Sequence, residues 1–509
     1  MRTAPAITLP LEPSGEGSLP VQLAAELRRL IGDTVLAPGE SLPSTRALAA
    51  HLGISRGTVV AAYDQLLAEG YLSAATGRST VVNPQLQATP VRPLRPAAPE
   101  PAESRAALDL RPGRPSTTDV VGPAWKAAWR QASLGPADAA IPGLGLPELR
   151  AAWADHLRRT RAVVRDPSQV AVTGGGREGL ALLLMALSGA RFDDPSTLRQ
   201  ARGEPGSGAV PSARSDDPSA LRQAQGEPSP GSVRGSGPLR VGVEEPGYPS
   251  LRRVPARFGA IVLPVPVDEH GLRVTDLPTG AEAPDVLVVT PSHQYPLGGS
   301  LPVDRRQALL EWARQNQVVV IEDDYDSELR YTSQPLPALA ALDDPADGRV
   351  VLLGTLSQTL TPALGIGYLA LPAWLVPLVA AARRDLGGPV GLVTQRAMAQ
   401  YLAGGALRLH TQRMRTRYRR RRAQVVAALG GVPGLRVQPM DGGLHAVVES
   451  SRPEAEVVAQ LAAAGVRVSP LSRYWSATDR TGIVFGFGAV TEPELAHALT
   501  LIAEAMRQR

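Results

Sequence analysis

An alternation of short β-branched runs with helical stretches across residues 108–509 constrains the fold more than any other feature of the sequence. The runs are short and bounded by turn residues, which is typical of strands. Strands joined through helices lie parallel in one sheet that carries helices on both faces. The pattern therefore predicts an α/β unit with a doubly wound, mostly parallel sheet. The predicted strands are Gln169–Thr173, Leu239–Val243, Val286–Thr290, Val318–Ile321 and Val350–Leu353, and two of the predicted helices are Glu178–Ala190 and Asp304–Gln315.

Two low-complexity stretches divide the chain. Residues 84–107 are rich in proline and poor in core-forming side chains, which predicts a semi-extended linker between residues 15–83 and 108–509. Residues 191–238 are rich in Gly, Pro, Ser and charge, and Asp193–Pro205 and Asp216–Pro228 agree at 11 of 13 positions. Such a segment buries too little apolar surface to fold, so we predict a disordered insert, with a partner-binding tether as the alternative.

The composition excludes several classes of protein. Apolar residues make up 43% and charged residues 20% of the chain, which is typical of a globular protein of two or three domains. The absence of cysteine excludes disulfides, thiolate metal sites and a cysteine nucleophile. The seven histidines form no metal-binding motif, and no apolar run is long enough for a membrane span or signal peptide. We therefore expect a cytoplasmic protein with no metal and no membrane association.

Residues 15–83 have the pattern of three helices followed by a hairpin. Ser44 and Ser55 are suited to cap the second and third helices, and Gly53 to end the second. Residues 71–82 then read as strand, turn and strand, so the segment predicts a winged helix-turn-helix. The stretch LAPGESLPSTRALAAHLGISRGTVVAAYDQLLAEGYLSAATGRSTVVN resembles the GntR family of bacterial winged-helix transcription factors.

The start of the third helix would enter the major groove of double-stranded operator DNA. Short polar and arginine side chains there reach base edges or phosphates, which singles out Ser55, Arg56 and Thr58. The resemblance further implies a phosphate or base contact from Arg46. It also implies a wing tip in the minor groove, formed by Gly77 and Arg78.

The alternative is a helical scaffold whose arginines only solvate its surface. Residues 1–83 contain six arginines and seven acidic residues, so the domain has no overall basic field. The DNA-binding interpretation therefore depends on the local placement of these side chains and on the ordered run of family residues.

Residues 108–509 resemble fold-type I aminotransferases, and specifically the MocR-type GntR regulators that fuse such a domain to a winged helix. The resemblance thus implies a mostly α winged helix-turn-helix plus an α/β fold-type I aminotransferase-like domain. In enzymes, this domain depends on pyridoxal phosphate. The segments that resemble the family most are EEPGYPS (244–250), VTPSHQYPLGGSLPVDRRQALLEWA (289–313), IEDDYDSELRY (321–331) and GTLSQTLTPALGIGYLALP (354–372).

Pyridoxal phosphate requires a lysine for its aldehyde, a carboxylate for its ring nitrogen, an aromatic stacking partner and a phosphate nest. The resemblance assigns Asp323 to the ring nitrogen, Tyr325 to the ring oxygen and Tyr248 to stacking. It leaves Asp324 as the less favoured neighbour. The phosphate nest would be formed by Gly174, Gly175, Gly176, Thr355 and Ser357.

Other family positions are changed. The lysine position is Gln358, whose amide cannot form an imine with an aldehyde, and Lys126, the only lysine in the chain, belongs to an early helix. The family's phosphate arginine is Gly365 here, and the arginine that binds a substrate carboxylate is Val484. Arg177 replaces a glutamine and is either a substitute phosphate ligand or a solvated residue at the helix start.

The leading hypothesis is a transcriptional regulator that binds operator DNA as a homodimer and has a small-molecule effector. The resemblance implies a domain-swapped dimer, and pyridoxal phosphate, if bound, would be held non-covalently. One alternative is an aminotransferase with an appended DNA-binding domain. Another is a degenerate scaffold without ligand, in which Asp323 and Tyr325 are remnants satisfied by local hydrogen bonds. The seven arginines within residues 413–422 predict a solvated helix with dimer and acidic-surface pairs, and direct DNA contact is the alternative.

Overall fold

The structure, a computed structural model, describes residues 18–74, 79–86, 108–137, 140–192, 237–331 and 337–507. The chain divides into two compact units, residues 1–105 and residues 106–509. Most of the predicted linker (87–107) and insert (193–236) lies outside the described residues. At their edges the structure differs from the prediction: Leu86 packs on the core of the first unit, and a helix continues to Phe192.

The first unit is built from three helices and a two-stranded antiparallel sheet. Its elements are α1 (Leu19–Gly32), α2 (Thr45–Leu52), α3 (Arg56–Ala68), β1 (Leu72–Ser73) and β2 (Val81–Val82). Apolar side chains at helical spacing bury one face of each helix in a common core, which includes Leu23, Leu27, Leu48, Val59 and Leu66. The helix periodicity in the sequence predicted this core.

The turn between α2 and α3 has the local chemistry that its sequence predicts. Gly53 adopts a left-handed φ of 66°, a conformation in which a side chain would be strained. The Ser44 hydroxyl accepts a hydrogen bond from the Ala47 amide, and the Ser55 hydroxyl accepts one from the Thr58 amide. These caps satisfy amides that have no partner inside their helices, so the two helix starts are fixed next to the turn.

The described residues of the second unit form fourteen strands and ten α-helices. The strands are β3 (Leu108–Asp109), β4 (Val170–Thr173), β5 (Arg240–Glu245), β6 (Ile261–Asp268), β7 (Gly271–Leu272), β8 (Val286–Val289), β9 (Val319–Asp324), β10 (Val350–Thr355), β11 (Gly367–Ala370), β12 (Arg436–Val437), β13 (His445–Glu449), β14 (Val466–Arg467), β15 (Ser469–Pro470) and β16 (Gly482–Gly486). The α-helices are α4 (Pro123–Ser133), α5 (Pro147–Arg161), α6 (Gly176–Phe192), α7 (Pro249–Arg257), α8 (Val303–Gln315), α9 (Val376–Leu386), α10 (Leu392–Ala403), α11 (Ala406–Leu429), α12 (Glu454–Ala463) and α13 (Glu492–Met506).

Eight strands form one mixed sheet in the order β4-β11-β10-β9-β8-β5-β6-β7. The run from β10 to β6 is parallel throughout, as the alternating pattern predicts. Strand β11 is antiparallel to both β10 and β4, because a short connection without an α-helix returns the chain from β10. Consequently β4 points the same way as β10, and the carboxyl ends of β4, β5, β8, β9 and β10 meet at one edge.

Helices cover both faces of this sheet, and alternate strand residues enter two separate apolar cores. One core joins the sheet to α5, α8 and α10 and contains Trp153, Leu309 and Met398. The other joins the opposite face to α6 and α9 and contains Leu183 and Val379. A sheet buried on both faces explains why its strands read as continuous apolar runs.

The C-terminal part of this unit has a core of its own. Strands β12, β13, β16 and β15 form an antiparallel sheet, and β14 pairs in parallel with β3. Helices α11, α12 and α13 bury Tyr418, Leu461 and Leu499 with the strand residue Phe485. No helix in the described part of the chain is long and apolar enough to cross a membrane.

Candidate ligand pocket and DNA-reading helices

The candidate ligand pocket lies where the parallel strands of the large sheet end. Gly174–Gly176 follow β4, Tyr248 follows β5, and Tyr325 follows β9. Thr355 is the last residue of β10. In open α/β sheets, ligands bind at this edge because loops from several strands converge there.

Most of the side chains singled out in the sequence line this one pocket. Its empty volume is about 960 Å³, open solvent at its mouth included. The sequence-predicted residues in its lining are Gly176, Arg177, Tyr248, Asp323, Tyr325, Thr355, Ser357 and Gln358. Gly175 is not in the lining. A Cβ atom at this position would lie 3.6 Å from the Thr355 hydroxyl oxygen, so Gly175 is a close neighbour of a lining residue.

Strand alternation decides which of the two neighbouring aspartates faces the pocket. Asp323 shares its face of β9 with Ile321 and lines the pocket. Asp324 points to the other face, where its Oδ2 accepts a hydrogen bond of 2.8 Å from Arg161. The structure thus places Asp323 in the pocket and Asp324 in a buried ion pair.

The Asp323 carboxyl is unusually hard to ionise. Burial raises its pKa to about 8, and the nearby carboxylates of Asp324, Asp326 and Glu244 contribute in the same direction. Glu244 is itself buried, which raises its pKa to about 7 although Thr290 donates a hydrogen bond to it. The Asp323 carboxyl is therefore protonated at neutral pH and can donate a hydrogen bond, or its proton, to a basic group placed beside it.

Hydroxyl groups and a helix start form one end of the pocket. The Thr355 and Ser357 hydroxyl oxygens lie 2.8 Å apart, and Arg177 is exposed at the first turn of α6. Glu178 accepts a hydrogen bond from the Gly174 amide at 2.9 Å and pairs with Arg383. The amides in the first turn of α6 have no partner within the helix. Together with the positive dipole end of this 17-residue helix, they favour an anion at this place.

Three tyrosines surround the other end of the pocket. The ring of Tyr295 lies 5.4 Å from that of Tyr248 and 5.6 Å from that of Tyr325, both edge to face. Burial raises the pKa of Tyr295 and Tyr325 well above 10, so both phenols stay protonated. The pocket therefore offers aromatic surface beside a protonated carboxyl group.

A histidine network supports Tyr325. Its hydroxyl lies 3.0 Å from the carbonyl oxygen of His293 and 2.8 Å from the ring Nδ1 of the same residue. The Nδ1 atom also lies 2.8 Å from the Asp326 carboxylate. His445, next to His293, is neutral because burial lowers its pKa to about 4.

Of the positions that the resemblance marks as changed, some line the pocket and others lie outside its lining. Gln358 lines the pocket, beside Ser357 and Pro362. Lys126 is exposed on α4 and is absent from the pocket lining. Gly365 is exposed with φ 56°, and Val484 is fully buried in β16. Apart from Arg177, the described lining of the pocket includes no arginine or lysine.

Sequence reasoning missed several residues of this pocket. Tyr295 lies in the family-like segment 289–313 and His445 in GGLH (442–445), which resembles the family as well, so their aromatic and imidazole chemistry was a signal available in the sequence. Asp326 was recognisable as a third carboxylate beside Asp323. Gly113, Leu180, Leu251 and Val254 also line the pocket, and no motif marks them.

In the first unit, the predicted DNA-contacting residues cluster around the starts of α2 and α3. Arg46 is exposed in the first turn of α2, and Arg56 is exposed as the first residue of α3. The Ser55 and Thr58 hydroxyls lie 2.8 Å apart and form the cap of α3. Gly77 and Arg78, the predicted wing tip, lie outside the described residues.

Ion pairing separates the arginines of this unit into two groups. Arg28 pairs with Glu69 at 2.8 Å, and Arg29 pairs with Glu26 and Asp33 on or beside α1. Arg46 and Arg56 form no hydrogen bond or ion pair with any other described residue. The guanidiniums of Arg46 and Arg56 therefore remain without an ion-pair partner among the described residues, although the domain as a whole is not basic.

The arginine-rich helix of the second unit is not simply solvated. Arg417 pairs with Asp119, and Arg421 donates to the carbonyl oxygens of Phe487 and Gly488. Arg415 and Arg422 likewise donate to backbone carbonyls of the same unit. Much of this charge therefore holds α11 against its neighbours.

Comparisons with known proteins give the same two units. Residues 19–82 match the family described as "Bacterial regulatory proteins, gntR family", and residues 239–502 match "Aminotransferase class I and II". The chain is 43% identical to the HTH-type pyridoxine biosynthesis transcriptional regulator PdxR of Corynebacterium glutamicum, over 98% of each chain. It is 28% identical to the probable rhizopine catabolism regulatory protein MocR of Rhizobium meliloti, over 95% of this chain and 93% of that chain.

The fold of the second unit also recurs in solved structures. The multiple substrate aminotransferase of Thermococcus profundus superimposes with a TM-score of 0.63 at 21% identity, covering 79% of this chain and 92% of that chain. A gntR-type helix-turn-helix joined to an aminotransferase-like unit defines a class of DNA-binding transcriptional regulators. The chain belongs to the MocR-type subfamily of GntR transcriptional regulators.

Proposed function

We propose that the aminotransferase-like unit of this regulator binds pyridoxal phosphate, or a closely related vitamin B6 compound, without a covalent bond and without catalysing transamination. The observation that carries the proposal is Gln358, a carboxamide in the lining of a pocket that otherwise offers ring and phosphate contacts. The relative from C. glutamicum is named as a regulator of pyridoxine biosynthesis, which supports a vitamin B6 compound as the effector.

The pocket fits the ring of such a ligand. Asp323 would hold the ring nitrogen, since its protonated carboxyl can donate a hydrogen bond or its proton to that basic nitrogen. Tyr248 provides an aromatic face, and Tyr325 a phenol held in place by His293. Pre-positioned aromatic and polar groups of this kind reduce the entropy lost on binding.

The pocket also fits a phosphate group. Thr355 and Ser357 supply hydroxyl donors, and the start of α6 supplies amides and a positive dipole end. Arg177 is exposed at the pocket and has no ion-pair partner among the described residues, so its guanidinium is available to an anion. The family resemblance places its phosphate arginine at position 365, which is glycine here, so Arg177 is the one guanidinium in the described lining.

The described lining of the pocket does not supply the lysine that would react with the aldehyde of pyridoxal phosphate. When bound to an enzyme, pyridoxal phosphate supplies an electron sink for amino-acid chemistry, which requires a lysine as anchor and proton carrier. Gln358 has no basic lone pair and can only donate or accept hydrogen bonds. We therefore infer reversible binding, with Gln358 contributing hydrogen bonds to the ligand instead of a covalent link.

The first unit would read operator DNA through α3. Arg46 and Arg56 lie at the starts of α2 and α3 and have no ion-pair partner among the described residues, and the capped start of α3 would offer amides and hydroxyls to phosphates. Aminotransferase-like folds commonly dimerise, so we further propose a homodimer with two DNA-reading units. Two such units would favour paired half-sites in the operator.

A spectroscopic titration tests the ligand proposal. Wild-type protein, Gln358→Lys and Gln358→Leu are each mixed with pyridoxal phosphate, and absorption spectra are recorded before and after borohydride. We expect saturable binding by wild type that is lost on dialysis, and a borohydride-stable product only with Gln358→Lys. The leucine variant controls for the loss of the amide. Absence of saturable binding by wild type would instead favour a scaffold without ligand.

A further inference from the structure

A second cleft adjoins the ligand pocket and is lined by arginines. Its empty volume is about 610 Å³, open solvent included. It shares Tyr248 and Tyr295 with the ligand pocket, so each of these rings borders both cavities. Its other polar residues are Arg111, Arg114, Arg253, Ser469, Arg473 and Tyr474.

Two of the four arginines of the cleft are without an ion-pair partner among the described residues. The Arg111 Nε and an Arg114 Nη each lie 2.9 Å from the carboxylate of Asp109, so these two guanidiniums share one acid. Arg253 and Arg473 are exposed and form no side-chain hydrogen bond or ion pair with any other described residue. Two unpaired guanidiniums thus face the cleft, and no acidic residue belongs to its described lining.

The floor of the cleft is rigid and buried. Tyr474 and Ser469 are each 3% exposed, and the ring of Tyr474 lies 5.5 Å from that of Tyr295. The backbone carbonyl of Tyr474 accepts a hydrogen bond of 3.1 Å from the Gly247 amide, next to Tyr248. The two exposed arginines therefore stand over a fixed aromatic floor and not on a flat surface.

We propose that this cleft binds a small dicarboxylate, as a second part of effector recognition. Guanidinium groups pair with carboxylates through two parallel hydrogen bonds, a geometry that a planar carboxylate satisfies well. The two carboxylates of one such molecule would match the two unpaired guanidiniums of Arg253 and Arg473. The inference rests on the proposed function, because a molecule in this cleft touches the same two tyrosines that border the vitamin B6 site.

The test uses the full-length protein and succinate as the probe. Succinate binding is measured by calorimetry at low ionic strength for wild type, Arg253→Gln, Arg473→Gln and the double variant. Arg257→Gln is the matched control, since Arg257 is exposed on the same helix but lies outside the cleft lining. We expect saturable binding by wild type and by Arg257→Gln, and an affinity lower by about tenfold or more in the double variant.

Three comparisons keep this inference separate from the proposed function. Failure of wild type to bind succinate, or equal affinity in the double variant, overturns the dicarboxylate site even if pyridoxal phosphate binds. Tighter binding of inorganic phosphate than of succinate overturns the assignment to dicarboxylates. Succinate binding that depends on Arg253 and Arg473 supports the site, even when pyridoxal phosphate fails to bind and only the proposed function falls. Circular dichroism confirms that each variant is folded.

Discussion

Arg161 and Asp324 form an ion pair inside the protein, with Nε 2.8 Å from Oδ2 and both side chains no more than 3% exposed. Glu322, which lies on the same face of β9, is also close to Arg161, at 3.9 Å. Both carboxylates are thereby held on the side of the sheet away from the ligand pocket. This arrangement leaves Asp323 as the residue of β9 that can meet a ligand ring.

Removing Arg161 should destabilise the second unit strongly. Arg161→Leu leaves Asp324 and Glu322 buried without their cation, and we expect a loss of about 3–5 kcal/mol in the free energy of unfolding. Arg158→Leu, at an exposed pair with Asp155, should cost no more than about 0.5 kcal/mol. Urea denaturation of both variants measures the difference, and similar losses would contradict the buried charge argument.

The Asp323 carboxyl should make stability depend on pH. Its pKa is about 8 in the folded protein and 3.8 as the ordinary value, so the folded state holds a proton that the unfolded state releases. The contribution of the Asp323 carboxyl to the free energy of unfolding is fully present below about pH 4 and is lost as pH rises toward 8. Asp323→Asn should therefore match wild type near pH 4 and exceed it by up to about 5 kcal/mol at pH 8. Thermal unfolding across this range provides the measurement, and a variant less stable than wild type at pH 8 would refute the protonated state.

Phosphate recognition can be separated from ring recognition by comparing two ligands. Arg177→Gln removes a guanidinium that borders the pocket at the start of α6. We expect affinity for pyridoxal phosphate to fall by about 1–2 kcal/mol, since one charge-assisted contact is lost, and affinity for pyridoxal to stay unchanged. Fluorescence titration with both compounds tests this. Equal weakening of both would place Arg177 near the ring and not the phosphate.

Arg56 should contribute directly to operator binding. Arg56→Ala, or Arg46→Ala, should weaken binding by about 1–3 kcal/mol if the arginine reads a base. If the contact is to a phosphate, the slope of log affinity against log salt concentration should also fall in magnitude by about one. Arg29→Ala is the control, because Arg29 is already paired with Glu26 and Asp33. Equal effects of Arg29→Ala and Arg56→Ala in a mobility-shift assay would indicate a general charge effect only.

Ser55 has a structural role that a second substitution can separate from DNA binding. Ser55→Ala removes the cap on the Thr58 amide and should cost about 1 kcal/mol of stability. Ser55→Asp keeps a capping oxygen, so its stability should stay near that of wild type, but its negative charge should repel DNA phosphates. Parallel measurements of unfolding and operator affinity are required. Ser55→Asp with wild-type DNA affinity would exclude a phosphate near this helix start.

The sequence predicted those parts of the fold that repeat a strong local pattern. The helices of the first unit bury the predicted apolar spacing, and Gly53 and both serine caps lie where their chemistry requires. The antiparallel strand β11 was missed, because its apolar run looks the same as that of a parallel strand and only pairing fixes its direction. The C-terminal antiparallel sheet was not predicted either, because two of its four strands are only two residues long.

The pocket was predictable where family-like segments carry polar residues, as with Asp323, Thr355 and Gln358. Apolar lining residues such as Leu251 were not, since an apolar side chain at a pocket resembles one in a core. The pairing of Arg161 with Asp324 joins residues that are 163 positions apart, and no local pattern reveals such a contact. The arginine cleft was missed for the same reason, because its members come from four separate segments.

The most direct test of the account is intact mass spectrometry of wild-type protein after incubation with pyridoxal phosphate and borohydride. A reversible ligand next to Gln358 leaves the protein mass unchanged, and Gln358→Lys, treated identically, gains one phosphopyridoxyl group. A stoichiometric mass increase in the wild type, located on any residue of the pocket, would contradict non-covalent binding and reopen the case for an enzyme.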